Sequence, residues 1–174
     1  MRKNIEEENF FARDAKEVAN DLLGKFICCK DRNEKYLIVE TEAYYYEEEF
    51  CYGHDKTKED AKKLVSAPLF ECPGTWCIYG GQLLLSVKDD KYSDNVLIKS
   101  VKDEGGKILG PDKMAQSLHL YKSKPDYCGC HGQYSLTNNS RIYLVNGQEI
   151  SKIICAKRVN IKSDKELNFK INIE

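Results

Sequence analysis

The sequence predicts an α+β fold with a mainly antiparallel β-sheet in one domain spanning residues 1–174. Two observations carry this. Strand-like runs follow one another across short polar turns without regular βαβ alternation. A chain of 174 residues with no internal repeat, linker or low-complexity segment suits one domain with a sizeable core.

The elements follow in chain order. "RDAKEVANDLLGK" predicts a helix with Asp14 as N-cap, Glu17 three residues later and Gly24 closing the end. Val18, Ala19, Leu22 and Leu23 form its buried stripe. "KFICCK" and "KYLIVETEAY" read as two strands joined by the polar turn "DRNE". "TKEDAKKLV" opens with Thr57 and Asp60 as a cap pair, and "APLFECPGT" is a loop. "WCIYGGQLLLSV" reads as strand, Gly-Gly turn, strand, and "NVLIKSV" as a further strand. "GPDKMAQSLHL" starts a helix with Pro111 in its first turn. Residues 122–140 are polar and irregular, and "RIYLV", "IICAKRVNI" and "LNFKINI" complete a strand-rich C-terminal half.

Within "YLIVETEAYYYEEEF", alternation puts Leu37, Val39, Thr41 and Ala43 on a core face. Tyr36, Ile38, Glu40, Glu42 and Tyr44 fall on the other, which reads either as a solvated edge or as a pocket wall with a carboxylate beside a ring.

Composition narrows the function classes. No run of about 18 apolar residues exists, so no membrane partner is expected. "MRKNIEEENFF" has no apolar leader, and the eight scattered cysteines read as reduced, mostly buried thiols, Cys28, Cys29, Cys77 and Cys155 lying in apolar runs. A net charge of −1 does not by itself suggest a polyanion partner, so any nucleic-acid surface is local.

Few local motifs carry chemistry. There is no Gly-rich phosphate loop, nucleophile elbow or Cys-x-x-Cys pair. "CGCH" (Cys128, Cys130, His131) has one residue between its thiols, tight for zinc, and no matching second pair, so no metal is expected. His54 lies a dozen residues past Glu42, where a turn could return it to the Glu42/Tyr44 face. Trp76 and Tyr79 stand beside a tight turn, where an aromatic is either core or a wedge for unstacking bases.

Taken in order, "ANDLLGK", "VETEAY", a histidine, "PGTWCIYG", "VLIK", "LGPDKMAQSL" and "KRVNI" resemble the alkyladenine (3-methyladenine) DNA glycosylases of the mammalian type, from about Phe10 to about Ile173. The resemblance implies a curved antiparallel sheet with flanking helices, from which a protruding β-hairpin enters the minor groove of double-stranded DNA. A damaged purine, alkylated or deaminated, is flipped out and its N-glycosidic bond hydrolysed, leaving an abasic site. By motif, Glu42 is the general base for the attacking water, Tyr44 stacks on the flipped base and His54 is the pocket histidine. Tyr79 is the wedge, Trp76 a second stacking aromatic, Ser86 a pocket-floor residue where the family has asparagine, and Lys99 stands at a usual arginine position near the DNA backbone. The chain lacks about three hairpin residues relative to the family; without a gap there, Tyr79 becomes the stacking ring and Gln82 the wedge.

This reading needs no cofactor or metal. It implies a monomeric, monofunctional enzyme, because no lysine or N-terminal proline is clearly placed to attack the sugar. It also implies a cytoplasmic location, on the nucleoid in a bacterium or in the nucleus of a eukaryote. The alternative is a non-catalytic nucleic-acid-binding domain on the same fold; a metal-dependent hydrolase using Glu40, Glu42 and His54, with or without "CGCH", is a more distant one.

Overall fold

The computed structural model describes residues 8–30, 32–61, 67–88, 92–120, 131–133 and 142–172. A short helix α1 (Glu8–Phe11) leads into α2 (Ala15–Leu22). Asp14 caps α2 by accepting from the Lys16 N–H, and Val18, Ala19 and Leu22 are buried as their spacing requires. Gly24, at φ +79°, turns the chain into β1 (Phe26–Cys29), which pairs antiparallel with β2 (Lys35–Tyr44). In α3 (Lys58–Ala61) the cap pair is reciprocal: Thr57 N and Oγ1 donate to Asp60 Oδ2, and Asp60 N–H reaches Thr57 Oγ1.

A 3-10 turn (Ala67–Phe70) precedes the hairpin of β3 (Thr75–Tyr79) and β4 (Gln82–Val87). Gly80 and Gly81 both have positive φ, the requirement of a two-residue hairpin turn. The chain continues through β5 (Asp94–Lys102), β6 (Ile108–Leu109), α4 (Pro111–Ser117) and β7 (His131–Gln133) to β8 (Ile142–Val145), β9 (Ile153–Ala156) and β10 (Asn168–Ile171). No helix among the described residues is long and apolar enough to cross a membrane.

The strands form one curled antiparallel sheet in the order β7-β3-β4-β5-β2-β1-β8, which forks at β2. On one edge, the first half of β2 pairs with β1 and its second half with β10, which in turn pairs with β9. The larger core packs α2 and α4 against the sheet around Ile38, Leu83, Leu85, Val96, Ile98 and Phe169. A second, smaller cluster holds Tyr44, Cys51, Leu69, Phe70, Cys77, Leu84 and Leu97.

Two details depart from the sequence expectation. Strict alternation along β2 fails upstream of Thr41, because the β2–β5 ladder shifts register between Ile38 and Thr41; Ile38 and Val39 both enter the larger core. Cys155 is exposed rather than buried, since β9 pairs with β10 alone.

Candidate active site

From Thr41 onward alternation holds, and it turns Glu42 and Tyr44 away from the helices. Thr41 Oγ1 donates to the Ala19 carbonyl beneath the sheet. Glu42 lies in a row crossing five strands, Cys77–Leu84–Leu97–Glu42–Asn168, read from the pairing registers. A carboxylate at the end of an apolar row is costly unless it is paired. Glu42 is 1% exposed, and its oxygens are correspondingly occupied.

Lys99 Nζ donates to Glu42 Oε1 at 2.8 Å, Asn168 Nδ2 donates to the same oxygen at 3.2 Å, and the Tyr44 hydroxyl donates to Oε2 at 2.7 Å. A carboxylate offers about four acceptor positions. Among the described residues three are used, which leaves one position on Oε2. Glu40 is held separately, by Asn168 Nδ2 at 2.8 Å and by Ser100 Oγ at 3.1 Å. One amide thus spans both glutamates.

The register shift makes this meeting of groups possible. Glu40 pairs with Ser100 and Thr41 with Ile98, so Lys99 is the extra residue of β5 and Val39 that of β2. A bulge sends two consecutive side chains to one side. Lys99 therefore reaches Glu42 while its neighbour Ser100 reaches Glu40.

Beside the carboxylate stands an aromatic wall. The Tyr44 ring meets the Tyr52 ring edge-on at 6.1 Å, and Tyr52 meets Tyr79 at 4.9 Å. The Tyr52 hydroxyl donates to Gln82 Oε1, linking this wall to the first residue after the hairpin turn. Burial, then the charge and hydrogen bond of Glu42, push the Tyr44 hydroxyl up, so it stays a donor. Burial, then Tyr79 and Glu42, push Tyr52 up to about 12. Behind Tyr44 lies Arg158, its side chain fully buried, its guanidinium 4.6 Å from the ring centroid. Arg158 donates to the Ala43 carbonyl and to both oxygens of Glu48.

Among the residues expected from sequence, Glu42, Tyr44 and Lys99 are joined by direct bonds, and Tyr79 joins them through Tyr52. His54 is occupied within its own loop, with Nδ1 3.0 Å from the Tyr46 carbonyl and Nε2 3.0 Å from Asp55. Trp76 is placed differently from expectation. It is 1% exposed inside the larger core, because Cys77 and Tyr79 take the positions of β3 on the Glu42 side and leave the opposite face to Trp76 and Ile78. Ser86 is on the same face as Leu84, but its hydroxyl donates to the Cys72 carbonyl at 2.7 Å under the loop that precedes β3. Tyr79 packs back on Tyr52 rather than standing at the hairpin tip, which consists of Gly80 and Gly81.

Cys128 and Cys130 lie outside the described residues, and of His131 only its place at the start of β7 is described. Among the described residues no three His, Cys, Asp or Glu side chains are grouped to hold a metal.

Sequence reasoning passed over Tyr52, Gln82 as its partner, Arg158 and Asn168. "KRVNI" contained Arg158 and "LNFKINI" contained Asn168, but only pairing across more than a hundred residues gives either one a partner.

Residues 9–174 match the family model described as methylpurine-DNA glycosylase (MPG). The chain belongs to the methylpurine-DNA glycosylase family. Its similarity extends over nearly whole chains. A candidate 3-methyladenine DNA glycosylase of Chlorobium phaeovibrioides is 27% identical, covering 94% of this chain and 90% of that relative. One of Natranaerobius thermophilus is 29% identical, over 93% and 90%. A probable DNA-3-methyladenine glycosylase of Encephalitozoon cuniculi is 24% identical, over 89% and 84%. The family match spans α2, the bulged β2–β5 pair and β10, and thus every residue that touches Glu42.

Proposed function

We propose that the protein is a DNA glycosylase that takes a damaged purine out of the duplex and hydrolyses its N-glycosidic bond. The observation that carries this is the buried Glu42 carboxylate, with one acceptor position left, beside a wall of tyrosines. Breaking an N-glycosidic bond develops positive charge on the sugar. A fixed carboxylate stabilises that charge and takes the proton of the attacking water. Lys99 and Asn168 hold Glu42 in place, while Tyr44 steadies the oxygen that retains a free position. Unstacking a base costs a few kcal/mol, least for a damaged or mispaired one, and aromatic contact offsets it. With its charge of −1, the protein depends on a local rather than a global electrostatic grip on DNA.

The test is incubation with duplexes carrying 3-methyladenine, 7-methylguanine, hypoxanthine or ethenoadenine, scored for abasic sites. Binding without base release from any of the four would leave a non-catalytic DNA-binding domain.

Two substitutions divide the roles. Glu40→Gln costs far less excision than a change at Glu42, because Glu40 meets Ser100 and Asn168 and touches neither Lys99 nor Tyr44. An equal loss would make Glu40 a catalytic partner. The packing of Tyr79 on Tyr52 supports a pocket ring over a wedge. Tyr79→Ala then lowers excision by about tenfold or more for well-paired and mispaired lesions alike, at the usual worth of one stacked base. A loss confined to well-paired lesions would return Tyr79 to the wedge role.

A further inference from the structure

We propose that Tyr52 is a placeholder for the flipped purine: in the free protein its ring closes the way to Glu42, and an entering base turns it outward. The proposal rests on the glycosylase reading for its ligand and adds how the site opens. Glu42 is 1% exposed, yet the position left on Oε2, beside the Tyr44 hydroxyl, has to meet a water and a sugar. Access therefore requires a movement.

The neighbours of Glu42 single out the part that moves. Leu84, Leu97, Tyr44 and Tyr79 lie on β4, β5, β2 and β3, held in ladders that a displacement would break. Tyr44 is fixed further by its bond to Glu42 and by Arg158 behind it. Lys99 and Asn168 are bound to the carboxylate itself. Tyr52 comes from the segment between β2 and α3, outside any strand or helix, and is only partly buried. Its ring meets both Tyr44, at 6.1 Å, and Tyr79, at 4.9 Å, edge-on. One ring thus occupies the two that the glycosylase reading offers to a base.

The backbone on either side of Tyr52 is anchored. The buried Cys51 donates its S–H to the Ser93 carbonyl and accepts from Asn95 Nδ2. A Cβ on Gly53 would lie 2.8 Å from Ser93 Cβ and 3.1 Å from Phe70 Cζ, so the chain there is pressed against its support. The ring therefore leaves by rotation about its own Cα–Cβ bond, from one staggered position to another, while the loop stays in place. The latch is a hydrogen bond from the Tyr52 hydroxyl to Gln82 Oε1 at the start of β4. Because burial pushes the phenol up to about 12, it remains a donor at neutral pH.

A placeholder acts on every ligand alike. A protein whose open form is only partly populated binds more weakly by that fraction, whichever base enters. A ring on which the base stacks does the opposite, since its loss weakens binding.

The experiment uses the full chain with two probes: free 3-methyladenine, by equilibrium dialysis, and the four lesion duplexes, by excision at subsaturating concentration. Tyr52→Phe keeps the ring but loses the latch, and the free base binds about fivefold tighter, the worth of one hydrogen bond. Gln82→Leu breaks the same bond from the other side with the same gain, and the double variant gains no more than either alone. Tyr52→Ala binds the free base at least about tenfold tighter, and its kcat/KM rises by one common factor for all lesions that are released. The proposal is overturned if Tyr52→Ala binds the free base no better than the wild type, if the two latch variants add, or if the gain differs between lesions. Gln82→Leu leaves the loop unaltered and decides the matter even if Tyr52→Ala folds poorly. Tighter binding of the free base without release from any duplex counts against hydrolysis alone, whereas release with weaker binding by Tyr52→Ala counts against the placeholder alone.

Discussion

Glu42→Gln lowers base excision by at least about 100-fold, the loss expected when a general base is removed. The structure makes this a clean substitution. The glutamine oxygen takes the Oε1 place and still accepts from Lys99 and Asn168, while its NH2 group faces the Tyr44 hydroxyl, which rotates to accept. The fold is retained and only the proton acceptor disappears. Duplex binding persists or tightens, because one negative charge beside the DNA backbone is gone. Single-turnover release of base from a 3-methyladenine duplex checks the first part, and a binding titration the second. Near-normal excision by this variant would remove Glu42 from the catalytic role.

Arg158→Met is the largest expected loss of stability. Arg158 is fully buried, makes a two-pronged contact with Glu48 and backs the Tyr44 ring. Removing Arg158 leaves the half-buried Glu48 with the Tyr45 N–H and the exposed Lys165, at a cost toward the lower end of the range of about 3–5 kcal/mol for a broken buried pair. For a domain of this size the midpoint of thermal unfolding falls by roughly 10 °C. The pH dependence follows from the same pair. Burial pushes the Glu48 carboxyl up, but the Arg158 guanidinium, the Tyr45 N–H and Lys165 outweigh it and hold it below the usual range. A depressed carboxyl contributes stability above its unfolded value, near 4.3, that is lost as the pH falls through its folded value. The gap between wild type and Arg158→Met is therefore widest at neutral pH and narrows below about pH 4. Thermal melts of both proteins across that window check it; a gap that does not change with pH would assign the loss to packing against Tyr44 instead.

How much of this was legible beforehand varies residue by residue. The end of β2 was readable because Thr41 and Ala43 against Glu42 and Tyr44 obey plain alternation. The bulges were not, because "LIVE" and "LIKS" look like uninterrupted strand and their extra residues are defined only by the opposite strand. Lys99 could be noticed as an unusual residue type but not aimed. Trp76 is instructive in the other direction. Its parity with Cys77 and Tyr79 was already in the sequence, and a one-residue difference decides the face. Reading the hairpin by likeness to longer ones put Trp76 beside Glu42, whereas counting by twos along β3 puts Tyr79 on that side. Asn168 and Arg158 carried no local mark, since each acquires its meaning from β2 and the turn that follows it.

The burial of Trp76 has an optical consequence. It is the chain's only tryptophan, enclosed with Phe11, Leu85 and Val87 on the helix side of the sheet, whereas Tyr44, Tyr52 and Tyr79 form the wall beside Glu42. Its emission follows the integrity of the core and is blind to whatever enters on the far side, while tyrosine emission responds to both. Recorded on one sample, the two signals separate a variant that has come apart from one that is intact and merely empty.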